Sequence, residues 1–195
     1  MSPSSKARVA LRLEPWGPGD LLLLTRLVGD PAMMEHLGGA EIPSKIAERH
    51  ARYVAHNPET GMMFKIVDEA SGKGAGNVGS WPKKWRQEDV FETGWLVLPE
   101  YQGRGLATAA TAQLIELLRT KKERRYLHAF PSVDNGASNG ICRKLGFSLL
   151  GATDFEYPPS HIMRCNDWRL DLFEAIGGPP FYPNSTWLRS GGGSR

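Results

Sequence analysis

The sequence predicts an α+β fold, in which helices flank a mixed central β-sheet. Segments with the alternating period of strands interleave with segments that have the helical period of about 3.6 residues, and no segment repeats along the chain. Elements in such an order pack as layers around one core. At 195 residues, 41% of them hydrophobic and 23% charged, the chain suits one globular domain with a sizeable core.

The chain is expected to open with one strand and three helical segments. Residues 9–13 alternate between apolar and polar side chains, as a half-buried strand does. Residues 19–28, 31–37 and 45–56 space their apolar side chains as helices do.

Three strands are predicted next. Residues 62–68 and 76–81 form a hairpin across the glycine-rich turn at residues 70–74. Residues 91–98 are rich in aromatic and aliphatic side chains and form a third strand. Pro99 ends that strand, because proline cannot donate to the ladder of hydrogen bonds.

The last elements combine two helices with three strands. A helix spans about residues 104–120, and residues 126–130 form a strand. A short helix follows at Asn135, and residues 147–155 and 163–172 form a final pair of strands.

These elements place the domain boundaries near the two ends of the chain. We expect a flexible N-terminus at residues 1–7, a folded domain at residues 8–176 and a Pro/Gly-rich C-terminal tail at residues 177–195. Disorder of this tail and docking of its aromatic side chains both stay open. Those side chains are Phe181, Tyr182 and Trp187.

The sequence also argues against several classes of protein. The longest apolar run, residues 21–24, is too short to cross a bilayer, and the N-terminus lacks the apolar core of a signal peptide. We therefore expect a cytoplasmic protein with no membrane partner. Cys142 and Cys165 are too few for a disulfide framework or a metal cluster, so we expect two thiols and no metal site.

The most informative segment is residues 101–107, with the sequence Tyr-Gln-Gly-Arg-Gly-Leu-Ala, which joins a strand to a helix. Gly103 and Gly105 let the backbone pass close to a ligand, and the unpaired amides of the helix's first turn favour an anion. The segment lacks the spacing of a nucleotide-hydrolysing P-loop and the third glycine of a dinucleotide fingerprint. It predicts a different site for phosphate or pyrophosphate.

A second segment, residues 135–147, is predicted to be a short helix with a capping residue at each end. Asp134 or Asn135 caps its start, and Gly146 is placed for a left-handed C-terminal cap before Phe147.

Together these two segments resemble motifs of the GCN5-related N-acetyltransferases, the GNAT superfamily. Gln102-x-x-Gly105-x-Ala107 is similar to the family's Gln/Arg-x-x-Gly-x-Gly/Ala motif. Residues 135–147 are similar to its Asn-x-x-Ser/Ala helix that ends in Lys-Leu-Gly-Phe. The resemblance covers about residues 8–172 and is closest to the ribosomal-protein N-acetyltransferase-like branch. It implies the GNAT fold, whose sheet is splayed at the coenzyme site.

The resemblance implies acetyl-coenzyme A as the co-substrate. Backbone amides of the glycine segment would bind its pyrophosphate, and the strand before that segment would pair with the pantetheine arm. Gly94 is the expected position of a bulge at the splay. The expected coenzyme-binding residues are Leu96, Val97, Leu98, Gln102, Gly103, Arg104, Gly105, Leu106, Ala107, Asn135 and Ser138.

Acetyl transfer needs a base for the amine and a donor for the departing thiolate. Glu92 is the expected base, on the strand that leads to the coenzyme, and His36 and His128 are weaker candidates. Ser138 is the expected donor, because Cys142 stands where many family members have a tyrosine. A solvent-facing Glu92 and a packing role for Ser138 stay open. Cys142 has no adjacent histidine to activate it, so we expect direct transfer in a ternary complex.

The acyl acceptor is an amine that the sequence does not identify. A protein N-terminus, an amino acid, an aminoglycoside-like antibiotic and another small amine all stay open. The segments expected to surround it contribute Met34, His36, Trp81, Trp85 and Tyr157.

Two rival interpretations also stay open. The first is an acetyltransferase acting on RNA or aminoacyl-tRNA, for which a basic aromatic loop at residues 81–86 is the one indication. A net charge of +3 is otherwise too small to predict a nucleic-acid partner. The second is a non-catalytic module that binds acyl-coenzyme A. A homodimer is common in such folds, although the sequence indicates no interface.

Overall fold

The computed structural model describes residues 9–55, 57, 61–158 and 161–174. The expected flexible ends, residues 1–7 and 177–195, lie outside them, so the domain boundaries stay predictions. The elements are β1 Leu11–Pro15, α1 Leu21–Val28, α2 Pro43–Ala55, β2 Met62–Asp68, β3 Lys73–Trp85, β4 Glu88–Val97, α3 Leu106–Lys121, β5 Tyr126–Ala129, α4 Gly136–Lys144, β6 Ser148–Glu156 and β7 Ile162–Asp171.

The strands form one mixed sheet of seven strands, in the order β1-β2-β3-β4-β5-β7-β6. Neighbouring strands are antiparallel except β4 and β5, which are parallel. The expected α+β fold with a mixed central sheet is confirmed.

The sheet opens between its two parallel strands. Among the described residues, β4 and β5 are in register at two positions, Phe91 with Leu127 and Glu92 with His128. β4 then continues to Val97, paired with β3 on its other side. The predicted splay therefore begins after Glu92.

The expected bulge at Gly94 is wrong. Gly94 pairs with Gly79 in a register that runs unbroken along β3 and β4. A side chain at position 94 would meet the Trp81 ring, whose Cη2 atom lies 3.1 Å from where a Cβ would stand. The glycine makes room for a tryptophan.

Helices cover both faces of the sheet. Met62 of β2 contacts Lys121 at the end of α3, whereas Lys65, on the opposite face, bonds Asp20 beside α1. α3 packs on β1–β4, and α1 and α2 pack on each other and on β2 and β3. The buried side of α3 consists of Leu106, Ala109, Ala110, Thr111, Leu114, Ile115 and Leu118.

The predicted basic aromatic loop at residues 81–86 is wrong, because residues 81–85 belong to β3. The hairpin turns at Arg86 and Gln87, whose φ angles of +46° and +70° fit a tight two-residue turn. Such turns usually contain Asn or Gly, so this turn left no signal in the sequence.

The other boundaries differ by a few residues. β1 ends at Pro15 rather than at residue 13, because Leu11 to Pro15 pair with Asp68 to Phe64 of β2. The expected helix at residues 31–37 is a turn followed by a short 3₁₀ segment at Glu35–Leu37.

Candidate active site

The loop between β4 and α3 has the backbone of an anion site. Gly103 and Gly105 have φ angles of +72° and +82°, which side chains adopt only with strain. The first internal bond of α3 runs from the Ala109 amide to the Gly105 carbonyl at 3.0 Å. The preceding amides, at residues 106–108, therefore stand at the positive end of the helix dipole. This geometry fits a diphosphate.

Two polar side chains of this loop are engaged within the protein. Nε2 of Gln102 donates to the Val97 carbonyl at 2.9 Å. Nη2 of Arg104 donates to Asp68 at 2.7 Å, and its guanidinium lies 5.5 Å from the centre of the Tyr101 ring. These side chains fix the shape of the loop and leave its backbone for an anion.

At the end of β4, where the pantetheine arm is expected to bind, some backbone groups already have hydrogen-bond partners within the protein. The Leu98 amide donates to the Ala75 carbonyl of β3 at 2.8 Å, on the side away from the opening, and the Val97 carbonyl accepts from Gln102. Val97 and Leu98 have buried side chains and Leu96 is half-buried. Pairing of this strand with the arm stays a prediction.

α4 begins at the same edge of the sheet as α3, because each helix follows one of the two parallel strands. The Oδ1 atom of Asn135 accepts a hydrogen bond from the Ser138 amide at 2.9 Å, which confirms the predicted cap. Gly146 has a φ of +79°, as expected of a left-handed C-terminal cap. Ser138 is half-buried.

Asn139 fixes α4 to β7, a role that the sequence did not reveal. Its Oδ1 atom accepts from Asn166 and from Trp168, both at 2.8 Å. Its Nδ2 atom donates to the carbonyls of Ser132 and Asn135 at 2.9 and 2.8 Å. Only the fold brings Asn166 and Trp168 to Asn139, so no local pattern could have identified these two partners.

Glu92 is buried, with 9% of its surface exposed, which excludes the solvent-facing alternative. It stands in the last register pair before the sheet opens, beside His128 of β5. Its Oε2 atom lies 2.9 Å from the Lys83 ammonium. Burial raises the pKa of Glu92, and the charge and hydrogen bond of Lys83, with a hydrogen bond from Trp81, oppose part of that shift.

Beside Glu92 lies a buried pair that the sequence did not predict. Nδ1 of His128 is 2.7 Å from Oδ1 of Asp167, whose other oxygen accepts from Trp85 at 2.9 Å. Burial alone would raise the pKa of Asp167, but the hydrogen bonds from His128 and Trp85 hold it below its usual value. Nε2 of His128 is buried and has no hydrogen-bond partner among the described residues.

Three aromatic rings surround the Lys83 ammonium. Its nitrogen lies 4.3 Å from the centre of the Phe155 ring, 5.6 Å from that of Phe130 and 5.9 Å from that of Trp85. The rings of Phe130 and Phe155 stack at 4.5 Å. We call Trp85, Phe130, Phe155 and Glu92 the ammonium cluster.

The residues expected to contact the acceptor lie in different environments. Met34 is 1% exposed and packs in the core, so in this structure it lines no surface. His36 lines a cleft of about 400 Å³ between the segment after α1, the segment that follows β5, and the start of β7. Trp81 and Trp85 bond Glu92 and Asp167, respectively. Tyr157 accepts a hydrogen bond from Arg49 at 2.8 Å.

Arg49 connects α2 to the segment that follows β6. Besides Tyr157, it donates to Glu41 through two nitrogens and to Tyr53 at 3.1 Å. Burial raises the pKa of the Tyr157 phenol, against the opposing charge of Arg49. These hydrogen bonds hold α2 and the segment after β6 together.

Both cysteines are free thiols, as expected, and both are buried. Burial raises the pKa of the Cys142 thiol to about 12 and that of Cys165 to about 11. Such thiols are poor nucleophiles at neutral pH. Among the described residues, no three His, Cys, Asp or Glu side chains are grouped as metal ligands, and no helix is long and apolar enough to span a membrane.

Comparison with known proteins agrees with this geometry. The sequence profile of the acetyltransferase (GNAT) domain matches residues 10–148 of the chain. Three similar solved structures are acetyltransferases, and at their low identities the likeness shows the fold.

The first is the aminoglycoside acetyltransferase AAC(6′)-Ib in complex with coenzyme A, with a TM-score of 0.69, 19% identity and coverage of 83% of this chain and 95% of that one. The second is spermidine N-acetyltransferase from Vibrio cholerae with coenzyme A and spermine, with a TM-score of 0.67, 17% identity and coverage of 83% and 95%. The third is ribosomal-protein-S5-alanine acetyltransferase from Vibrio fischeri, with a TM-score of 0.67, 16% identity and coverage of 84% and 93%.

Proposed function

Because the chain belongs to the GNAT acetyltransferase family and is an N-acetyltransferase, we propose that it moves the acetyl group of acetyl-coenzyme A directly to a primary amine. The observation that carries the proposal is the position of Glu92. A buried carboxylate with a raised pKa stands where the sheet opens, beside the strand edge and helix ends that would hold the donor.

The donor site is supported by the loop between β4 and α3. Amides at residues 106–108 and the positive φ angles of Gly103 and Gly105 fit a diphosphate. The opening between β4 and β5 is a place for an extended, amide-bearing arm to pair as a strand would. When bound, the coenzyme supplies the activated acetyl group.

Glu92 is the proposed base. An alkyl amine with a pKa of about 10.4 is protonated at neutral pH, so it must lose a proton before it attacks. The Glu92 carboxylate accepts that proton. His128 stands beside Glu92 in the ladder, and Asp167 orients its ring through Nδ1.

Ser138 is the proposed donor to the departing thiolate. It lies in the first turn of α4, at the same edge of the sheet as the glycine loop, and its amide is fixed by Asn135. Cys142, at the place of the family's usual tyrosine, is buried with a raised pKa and is unsuited to this role.

The acceptor is proposed to be a small amine or a protein N-terminus. The titles of the similar structures name an aminoglycoside, spermidine and a ribosomal-protein alanine as the groups those enzymes act on. The ammonium cluster, with one carboxylate and three rings, suits an alkylammonium group.

The one feature that suggested an RNA-directed acetyltransferase, a basic aromatic loop at residues 81–86, is a strand over residues 81–85. Lys83 pairs with Glu92, and Trp85 bonds Asp167, so two side chains of the segment that suggested RNA binding are bound within the protein. No observation favours RNA-directed acetylation as a second function. A cytoplasmic location and a homodimer are proposals that rest on the sequence alone.

Two assays test the proposal, the first for binding of the donor and the second for transfer to an acceptor. Acetyl-coenzyme A should raise the melting temperature in a thermal-shift assay, and a thiol-release assay over a panel of primary amines should then find turnover. Stabilisation without turnover on any amine would contradict the proposed transfer to amines. The absence of stabilisation would contradict the proposed donor site.

A further inference from the structure

Lys83 places an ammonium group beside the proposed base. Its side chain is 25% exposed, and its nitrogen is 2.9 Å from Oε2 of Glu92. Trp81 and Lys83 share a face of β3, and Trp81 pairs in register with Glu92, so Lys83 reaches Glu92 diagonally across the two strands.

The surroundings of that ammonium are those expected of a bound amine. A carboxylate lies on one side, and three rings lie within 6 Å of the nitrogen. Cations over aromatic faces are attracted by the ring electrons, and more strongly when they are partly desolvated. The cluster is therefore a binding site for an alkylammonium, and in this structure a side chain of the protein occupies it.

The next residue along the strand provides a contrast. Lys84 points to the opposite face of β3, is exposed, and pairs in register with Asp89. Two adjacent lysines of one strand thus differ in environment, and of the two it is Lys83 that reaches Glu92, where the opening between β4 and β5 begins.

We propose that Lys83 is an intramolecular acetyl acceptor, because its amine occupies the position of an acceptor amine in the ammonium cluster. The inference rests on the proposed function, which brings the thioester to the opening beside Glu92. It adds a modification site and identifies the acceptor class as alkylammonium groups.

The chemistry requires no further reactant. Glu92 accepts a proton from the Lys83 ammonium, and the freed nitrogen attacks the thioester carbonyl carbon. The new N–C bond forms as the C–S bond breaks, and the thiolate leaves with the electron pair of that bond. The second proton of the nitrogen passes to the thiolate, so the products are N-acetyl-lysine and free coenzyme A.

Acetylation of Lys83 removes the positive charge from the cluster. Glu92 then loses its ion pair, and the cluster becomes available to an external amine. A good acceptor amine that enters the cluster should, conversely, protect Lys83 from acetylation.

Mass spectrometry of the full-length protein tests the inference. The protein is incubated with acetyl-coenzyme A alone, and peptide mapping then locates the added acetyl groups over time. We expect acetylation at Lys83 at least tenfold faster than at Lys84. Lys83→Arg should abolish this modification, Lys84→Arg should leave it unchanged, and Glu92→Gln should slow it at least tenfold.

Calorimetry of coenzyme binding, run beside this experiment, separates the two proposals. If the coenzyme binds and amines are acetylated while Lys83 stays unmodified, the inference is overturned and the proposed function stands. Equal labelling of Lys83 and Lys84, or an unchanged rate in Glu92→Gln, would show plain chemical acetylation and also overturn it. Failure of the coenzyme to bind would overturn both.

Discussion

At the scale of single residues, Glu92 is under two opposing influences. Burial raises its pKa, and the neighbouring Lys83 ammonium lowers it. A base works best when its pKa is close to the working pH, because it must be unprotonated and still attract a proton. With Glu92 as the proposed base, the balance between burial and Lys83 is expected to set the pH range of activity.

Replacing the base tests its role. Glu92→Gln keeps the size of the side chain and removes its ability to take a proton, so kcat/KM should fall by about a hundredfold to ten-thousandfold. Coenzyme affinity, measured by calorimetry, should not change. Full turnover of this variant across about pH 6 to 9 would remove Glu92 as the base.

The effect of Lys83 on the pKa of Glu92 can be tested through the pH dependence of kcat/KM. With Glu92 as the proposed base, activity should rise with pH as Glu92 loses its proton, so the acid limb of kcat/KM should follow the pKa of Glu92. Lys83→Met removes a cation that lowers this pKa, and the acid limb should move to higher pH. Lys83→Arg keeps the charge and is the matched control. An acid limb that stays in place in both variants would contradict the coupling.

Asp167 should contribute to stability as well as to orientation. It is fully buried and accepts hydrogen bonds from His128 and Trp85. Asp167→Asn leaves at least one of these donors poorly paired and should cost about 1–3 kcal/mol in the free energy of unfolding. Because the folded pKa of Asp167 is lowered, its contribution is present above the unfolded pKa of about 3.9 and is lost as pH falls through the folded pKa.

Urea denaturation measures this effect, and an exposed ion pair provides the control. Asp154 bonds Arg164 on the surface, so Asp154→Asn should change stability by less than about 0.5 kcal/mol. Equal effects of the two substitutions would argue against a special role for Asp167.

At the scale of elements, the start of α3 combines backbone strain with an anion site. Gly105 has a φ of +82°, and an added Cβ would lie 3.3 Å from Val9. Gly105→Ala introduces that strain alone, whereas Gly105→Glu adds a carboxylate where the diphosphate is proposed to bind.

Comparison of these two variants isolates the electrostatic effect. Both should lower stability by about 1–2 kcal/mol through the left-handed backbone. Gly105→Glu should bind acetyl-coenzyme A at least tenfold more weakly than Gly105→Ala in calorimetry, because like charges repel at the helix start. Equal affinity of the two variants would refute the position assigned to the diphosphate.

The elements also show where sequence prediction succeeds and where it fails. The Asn135 cap and the left-handed Gly146 were predicted, because each depends on atoms within a few residues along the chain. The tight turn at Arg86 and Gln87 was missed, because its residues lack the usual preference for positive φ. A strand was consequently mistaken for a loop.

At the scale of the whole molecule, the fold class and the order of elements were predictable, whereas the partners of the base were not. His128 and Asp167 lie 39 positions apart, and Lys83 meets Glu92 through strand register. Such contacts follow from how strands are ordered and aligned, which no local period reveals. The sequence therefore indicates Glu92 as a candidate base, which stays a prediction, but not which groups contact it.

The short ladder between β4 and β5 has a consequence for the molecule as a whole. With two register pairs in the described residues, the sheet is a four-stranded and a three-stranded sheet joined at one point. The amides of β4 that face the opening should exchange rapidly with solvent deuterium in the free protein, and acetyl-coenzyme A should slow their exchange at least tenfold. Unchanged exchange at residues 93–97 with the coenzyme bound would contradict a strand-like arm. If protection is found, bound acetyl-coenzyme A also stabilises the sheet at this opening. Depletion of the coenzyme would then lower the stability of the protein.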